Sequence, residues 1–310
     1  METDFVDWLL RRLPADPRLD VPAGDDAAVL RPPAGRRTVV TVDMLMEGTD
    51  FVLGHACPPR AVGHKALAVS LSDLAAMAAR PEAAVVAVAL PRRGGDEIGH
   101  GLHEGMQALA AVHGLALAGG DTNAWDGPLV VSVTALGSVA PGREWRRDGA
   151  TPGDLLVVTG PCGGSILGRH LAVTPRCGEA LAIAERYVVH AAIDVSDGLS
   201  LDLARLMKAS GTAAVVDLAA VPIHADARRL ADTADDGGSP LDHALADGED
   251  FELVLAMPEA DARALVADPP PGLAPAVIGV VEAGSGLVAI DPAGGRRPLE
   301  PRGFVHRFDG

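Results

Sequence analysis

The residues best suited to chemistry in this chain are aspartates placed where apolar segments begin or end. Gly24-Asp25-Asp26 runs straight into the apolar Ala27-Ala28-Val29, and Asp43 closes the almost wholly β-branched run Thr38 to Val42. Ser72-Asp73 lies inside the apolar stretch Ala66 to Ala78. An ionised carboxylate there costs several kcal/mol if desolvated and unpaired, so it requires a cation, a donor network or an exposed rim. Gly119-Gly120-Asp121-Thr122 follows a short apolar segment, and its glycines allow close approach of a ligand to the backbone. Asp194-Val195-Ser196-Asp197-Gly198 opens a helical pattern, where free N–H groups suit a phosphate; Ser196 or Asp197 would serve equally well as a plain N-cap. Gly248-Glu249-Asp250-Phe251-Glu252 leads into the apolar Leu253 to Ala256.

Each piece alone reads as a polar turn, a cap or a charged strand entry. Together they form a set of acidic segments that neighbouring apolar elements would project into a common cleft. Carboxylates gathered in that way repel unless cations lie between them, and oxygen donors of this kind suit hard Mg2+.

The elements that must carry these residues alternate between strand and helix. Strands are expected at Thr38 to Val42, Ala83 to Leu90, Leu115 to Ala118, Leu129 to Val139 and Leu155 to Thr159, then at Ala213 to Leu218, Phe251 to Met257, Ala276 to Val281 and Leu287 to Ile290. Helices are expected at Pro59 to Ala79, Asp96 to His113, Pro175 to Val189 and Asp197 to Ala209, and after Pro258. Asp232 to Pro240 and Asp268 to Pro275 read as surface loops. The pattern is α/β or α+β without repeats. Gly, Pro and Arg collect between Pro141 and Pro152, which places a boundary between an N-terminal domain, 1–140, and a C-terminal one, 141–310.

Composition narrows the partners. A chain of 310 residues, 48% hydrophobic, has room for two ordinary cores. Its formal net charge of -16 argues against nucleic acid and anionic membranes, which need clustered Lys and Arg. Cys57, Cys162 and Cys177 are odd in number and widely spaced, as expected of a reducing cytoplasm rather than a disulfide or zinc framework. The first residues lack the order of a signal peptide, and no apolar run approaches a membrane span, so a soluble cytoplasmic protein is expected. GxxxxGK[ST], strand-borne GxGxxG, HExxH and GxSxG are all absent.

The segments GDDAAVL, TVDMLMEGTDF, KALAVSLSDLAAM, GGDT, RRDGATPGDLLVVTG, DVSDGLSLDLARL and DGEDFELVLA resemble, in order and spacing, the thiamine-monophosphate kinase family within the aminoimidazole-ribonucleotide synthetase superfamily. The resemblance spans Gly24 to Ala256. It implies an N-terminal α/β domain that binds ATP and several Mg2+ ions and forms a homodimer through its sheet, and a C-terminal α/β domain that closes the site. It implies transfer of the ATP γ-phosphoryl group to thiamine monophosphate, ATP being the co-substrate.

Carried over residue by residue, Asp26, Asp43, Asp73, Asp121 and Asp194 match magnesium ligands, with Asp197 for a further ion. Thr41 and Val42 fall at positions of additional metal contacts, Val42 through its carbonyl alone. Gly120, Asp121, Arg147 and Ser196 match nucleotide contacts; Glu249 and Phe304 match the thiamine side, where Phe304 would stack on a ring or else be a core residue. Lys65 either supports the phosphates or lies on a solvated helix face.

Three departures bear on the acceptor. Asp50 stands where the family commonly has a substrate-contacting His, Asp247 replaces the first of a glycine pair, and the segment between Gly160 and Arg176 is short. The other readings are a different ATP-dependent synthetase or kinase of the superfamily, or a noncatalytic Mg-nucleotide binder. Selenophosphate synthetases and hydrogenase-maturation proteins would be expected to carry a reactive terminal Cys, against METDF and HRFDG here.

Overall fold

The computed structural model describes residues 2–233, 237–291 and 294–306. Two compact units emerge, one built from Met1–Leu74, Ala79–Arg143 and Leu171–Cys177, the other from Ala75–Ala78, Glu144–His170 and Gly178–Gly310.

The first unit runs α1 (Glu2–Leu10), β1 (Leu19–Val21), β2 (Val29–Leu30), β3 (Arg37–Met46), α2 (Pro59–Ala76), β4 (Arg80–Pro91), α3 (Gly95–His113), β5 (Ala116–Trp125) and β6 (Val130–Val139). Its main sheet has the order β3-β6-β4-β5. β6 is antiparallel to both its neighbours, while β4 and β5, joined by a helix, are parallel. Along β3 the side chains alternate between faces, so Thr41, Asp43 and Leu45 turn inward while Val40, Val42, Met44 and Met46 stay exposed.

α2 begins at Pro59, whose fixed φ suits a first helical turn, and stops just before Ala78, which adopts φ 50. It buries Val62, Leu67, Leu71 and Leu74 almost completely. α2 and α3 cross at glycine contacts: a Cβ on Gly63 would lie 2.1 Å from the Leu102 carbonyl, and one on Gly105 would lie 2.0 Å from that of Arg60. Only glycine permits that backbone separation.

The second unit contains β7 (Leu155–Val158), α4 (Cys177–Arg186), β8 (Ala191–Asp194), α5 (Leu199–Ser210), β9 (Ala213–Asp217), α6 (Ala225–Thr233), α7 (Pro240–Ala246), β10 (Leu253–Met257), α8 (Glu259–Ala267), β11 (Ala276–Glu282), β12 (Gly286–Ile290) and β13 (Arg296–Pro298). Its seven strands lie in the order β13-β12-β9-β11-β7-β10-β8, parallel only between β12 and β9. Leu156, Val158, Ile193, Leu203, Leu206 and Ile278 belong to its core. The architecture is therefore α+β in both units.

Several sequence expectations are corrected. The short strand at Leu115 to Ala118 extends to Trp125, so Gly119-Gly120-Asp121-Thr122 is strand rather than turn. Pairing with β4 carries it on, with the register shifting between Ala84 and Val85, opposite Leu117 and Gly119. Of the loop expected at Asp232 to Pro240, residues 234–236 lie outside the described residues, and its two ends belong to α6 and α7. α7 has a capping box that the sequence displays as Ser239 followed three residues later by Asp242.

Candidate active site

In the first unit Asp43 and Asp73 form one acidic pair, while Asp26 and Asp121 line a cavity. The inward side of β3 brings Asp43 against α2, where the Ser70 hydroxyl donates to it at 2.7 Å. The Thr41 hydroxyl, two residues back on the same face, donates to Asp73. Burial pushes the Asp43 carboxyl up to about 6, the neighbouring Asp73 charge adds to the rise, and the Ser70 hydrogen bond opposes it. Asp73 is half-buried rather than on a solvated stripe, held by the Thr41 hydroxyl. Val42 points the other way, 63% exposed, and has no side-chain oxygen to offer.

Asp26 and Asp121 both line a cavity of about 720 Å³ that also includes Gly24, Gly119 and Gly120. α1 and α3 supply apolar walls through Phe5, Leu9 and Met106. Gly120 is sterically required, since a Cβ there would lie 1.9 Å from the Val86 carbonyl.

The register separates these two places. Asp43 faces Val133, Val133 faces Val86, and Val86 faces Gly120, the residue beside Asp121. Three strand spacings amount to about 14 Å of backbone. The expected single cleft therefore resolves, within this unit, into two acidic places on opposite edge strands. Among the described residues, no three His, Cys, Asp or Glu side chains are grouped so as to hold one metal ion.

Asp50 is engaged locally: its carboxylate accepts the Met46 N–H at 2.7 Å. Its carbonyl accepts from the Lys65 ammonium at 2.7 Å. Lys65 is fully buried, which overturns the solvated-face reading; its place directly before the apolar run Ala66 to Val69 is the available signal.

In the second unit Asp194 is buried at the end of β8, opposite Leu253 of β10. Antiparallel pairing continues past the strand, the Glu249 N–H donating to the Ser196 carbonyl at 2.7 Å and the Phe251 N–H to that of Val195 at 2.8 Å. The Phe304 N–H donates to the Asp197 carbonyl at 2.8 Å. Ser196, Asp197, Glu249 and Phe304 are thus neighbours although 108 positions separate the first from the last. Phe304 is 49% exposed, which excludes the core reading and leaves its ring available for stacking.

Glu249 and Phe251 both adopt positive φ, 53 and 51, a left-handed geometry unfavourable for side chains of their size. The surrounding bonds hold it. Asp250 accepts the Gly163 N–H at 2.9 Å and the Arg169 guanidinium at 2.8 Å, and Asp247 accepts the Gly164 N–H at 2.8 Å. Two departures from the family pattern are therefore connected: Asp247 fastens the shortened 160–176 segment beside Glu249. Burial drives Asp250 up to about 6 against the opposing influence of Arg169.

The start of α5 differs from expectation. Its cap is Gly198, with no side-chain cap, and the N–H groups of Ser196, Asp197 and Gly198 already donate to Asp202 from the first turn. Those donors are not available to a phosphate, and neither Ser196 nor Asp197 is the N-cap. Arg147 is not brought to this loop: its carbonyl accepts from Ser210, at the far end of α5. A 12-residue helix places that end about 17 Å from Leu199.

The AIR synthase related protein N-terminal domain matches residues 24–139, and the corresponding C-terminal domain matches residues 151–292. The thiamine-monophosphate kinase of Rhodopirellula baltica is 39% identical over 313 residues, covering 99% of this chain and 97% of that protein. The chain belongs to the thiamine-monophosphate kinase family. A structure described as AaThiL complexed with AMPPCP and TMP has a TM-score of 0.76 at 25% identity, over 97% of this chain and 94% of that one. Escherichia coli HypE, a hydrogenase maturation protein, superposes as well, with a TM-score of 0.79 over 98% of this chain and 99% of that one, but at 20% identity. Fold therefore does not separate the thiamine-monophosphate kinase family from its structural cousins, whereas sequence does.

Proposed function

We propose that this protein is a thiamine-monophosphate kinase, transferring the terminal phosphoryl group of ATP to the phosphate of thiamine monophosphate to give thiamine diphosphate and ADP. The observation that carries the reading is near full-length identity of 39% to a kinase of that name. Asp26, Asp43, Asp73 and Asp121 in the first unit, and separately Asp194 and Asp197 in the second, support it as oxygen donors of the type that suits Mg2+. Asp43 and Asp73 fit that ion on electrostatic grounds, because their mutual repulsion is what a divalent cation relieves. Paired rather than tripled carboxylates also suit an ion that usually takes one or two carboxylates and fills the rest with substrate phosphates and water.

Bound Mg2+ would supply the positive charge that lets two phosphate anions meet. The protein's own share is positional. Thr41 and Ser70 orient the Asp73 and Asp43 carboxylates, Gly120 would allow close approach of the nucleotide beside Asp26 and Asp121, and Glu249 and Phe304, neighbours within the second unit, would contact the acceptor. A phosphate acceptor is already ionised, so no general base is required.

The homodimer belongs to the same proposal. Val40, Val42, Met44 and Met46 form an exposed apolar row on edge strand β3, which a second copy would cover. Among the described residues no helix is long and apolar enough to cross a membrane. The deciding assay is the purified chain with ATP, Mg2+ and thiamine monophosphate, scored for thiamine diphosphate, with free thiamine as the control. ADP release without thiamine diphosphate would indicate a different acceptor, and nucleotide binding without any turnover would reject the kinase.

A further inference from the structure

Two side chains of α5 hold the acidic loop that precedes it. One oxygen of Asp202 accepts the N–H groups of Ser196 at 3.1 Å, Asp197 at 2.9 Å and Gly198 at 3.1 Å. The other oxygen accepts from Arg205 Nη1 at 2.6 Å. The same nitrogen donates to the Asp197 carboxylate. Asp202 is 1% exposed, whereas the Arg205 and Asp197 side chains keep 40% and 32% of their surface. One guanidinium nitrogen is thus shared between a carboxylate sealed inside the unit and one that reaches solvent.

This arrangement separates two tasks. Three converging N–H groups give the Asp202 charge a fixed seat, and that seat sets the path of the loop from which Ser196 and Asp197 project. Arg205 neutralises Asp197 meanwhile, through a contact weak enough to exchange because both partners are partly solvated. A residue that needed Asp197 only for stability would gain little from an exposed ion pair.

We propose that Asp202 and Arg205 are positioning residues of this loop, Asp202 as an internal anion that fixes its backbone and Arg205 as a resident countercharge that a divalent cation displaces from Asp197. The inference rests on Asp197 being a metal contact. It predicts opposite effects from neighbouring substitutions. Arg205→Gln removes the competitor, so Mg2+ binding to the nucleotide-free chain tightens by about two- to fivefold, the range open to a part-exposed ion pair. Asp202→Asn leaves Arg205 with Asp197 as its charged partner in this trio, so Mg2+ binding weakens.

The test is calorimetric titration of the full chain with Mg2+ alone, accompanied by melting curves, for the parent, both single variants and Arg205→Gln/Asp197→Asn. The expected result is tighter binding in Arg205→Gln, weaker binding in Asp202→Asn, and no tightening in the double variant. Weakening in both single variants would mean simple structural damage and would overturn the inference, as would parental affinity in Arg205→Gln or tightening that survives Asp197→Asn. Mg2+ binding absent from every protein, the parent included, would reject the metal site and this inference together. Kinase turnover by the parent then reports separately on the function.

Discussion

Asp43→Asn offers the most direct probe of the acidic site, because it changes charge and almost no volume. Burial first, and the Asp73 charge second, carry the folded-state carboxyl from the usual 3.8 to about 6, against the Ser70 hydrogen bond. The folded chain therefore holds this proton more tightly than the unfolded one. The associated stability is fully present below about pH 4 and is lost as pH rises through about 6. At roughly 1.4 kcal/mol per pH unit, the loss amounts to about 3 kcal/mol in metal-free protein at pH 8. Asparagine carries no charge and can still accept from Ser70, though its amide group must find a partner at a cost of about 1 kcal/mol. The net expectation is a variant about 2 kcal/mol more stable than the parent at pH 8, or a melting temperature about 4 to 8 °C higher. Near pH 4 the advantage should vanish, since the parent is then protonated as well. Thermal unfolding in EDTA across pH 4 to 8 measures both ends. Adding millimolar Mg2+ should narrow the gap by stabilising the parent alone. A variant no more stable than the parent at pH 8, or an advantage undiminished at pH 4, would refute the electrostatic account of this pair.

Asp121→Asn and Asp194→Asn should each lower kcat by about a hundredfold or more with the fold intact by circular dichroism, since several kcal/mol of charge stabilisation depend on metal ligands; normal rates in both would remove them from the site. Arg169→Met should destabilise the chain by about 2–4 kcal/mol in urea unfolding by leaving buried Asp250 without its cation. Val42→Glu places a charge in the exposed β3 row and should convert the proposed dimer to a monomer by light scattering; a mass equal to the parent's would reject this row as the interface.

Much of this protein is written locally. The β-branched run before Asp43 and the apolar helix around Asp73 become β3 and α2 because strand and helix formation respond to short-range pattern. The acidic motifs, and through them the family, were legible for the same reason. What was missed depended on distant partners. β5 runs through Gly119-Gly120-Asp121 because β4 pairs with it, and nothing within ten residues announces that pairing. β8 is a short, fully buried strand fixed by its partner β10, whereas α6 is a largely exposed helix that buries Ala227 and carries few apolar residues to mark it in the sequence.

The candidate site divides along the same line. Residue type and order established which carboxylates with oxygen-only chemistry adjoin apolar segments, because that information is carried by side-chain identity; the structure corrects their place, since Asp43 lies inside β3 and Asp121 inside β5 rather than at element ends. Tertiary structure alone decided how they are distributed: Asp43 beside Asp73, and Asp26 and Asp121 lining one cavity, with Asp43 and Asp121 on opposite edge strands of the sheet. It also decided that Asp202 occupies the N–H groups at the start of α5, and that Lys65 is sealed beneath Asp50. Strand order, register and burial are sums over contacts between distant segments, so composition and spacing cannot encode them one motif at a time.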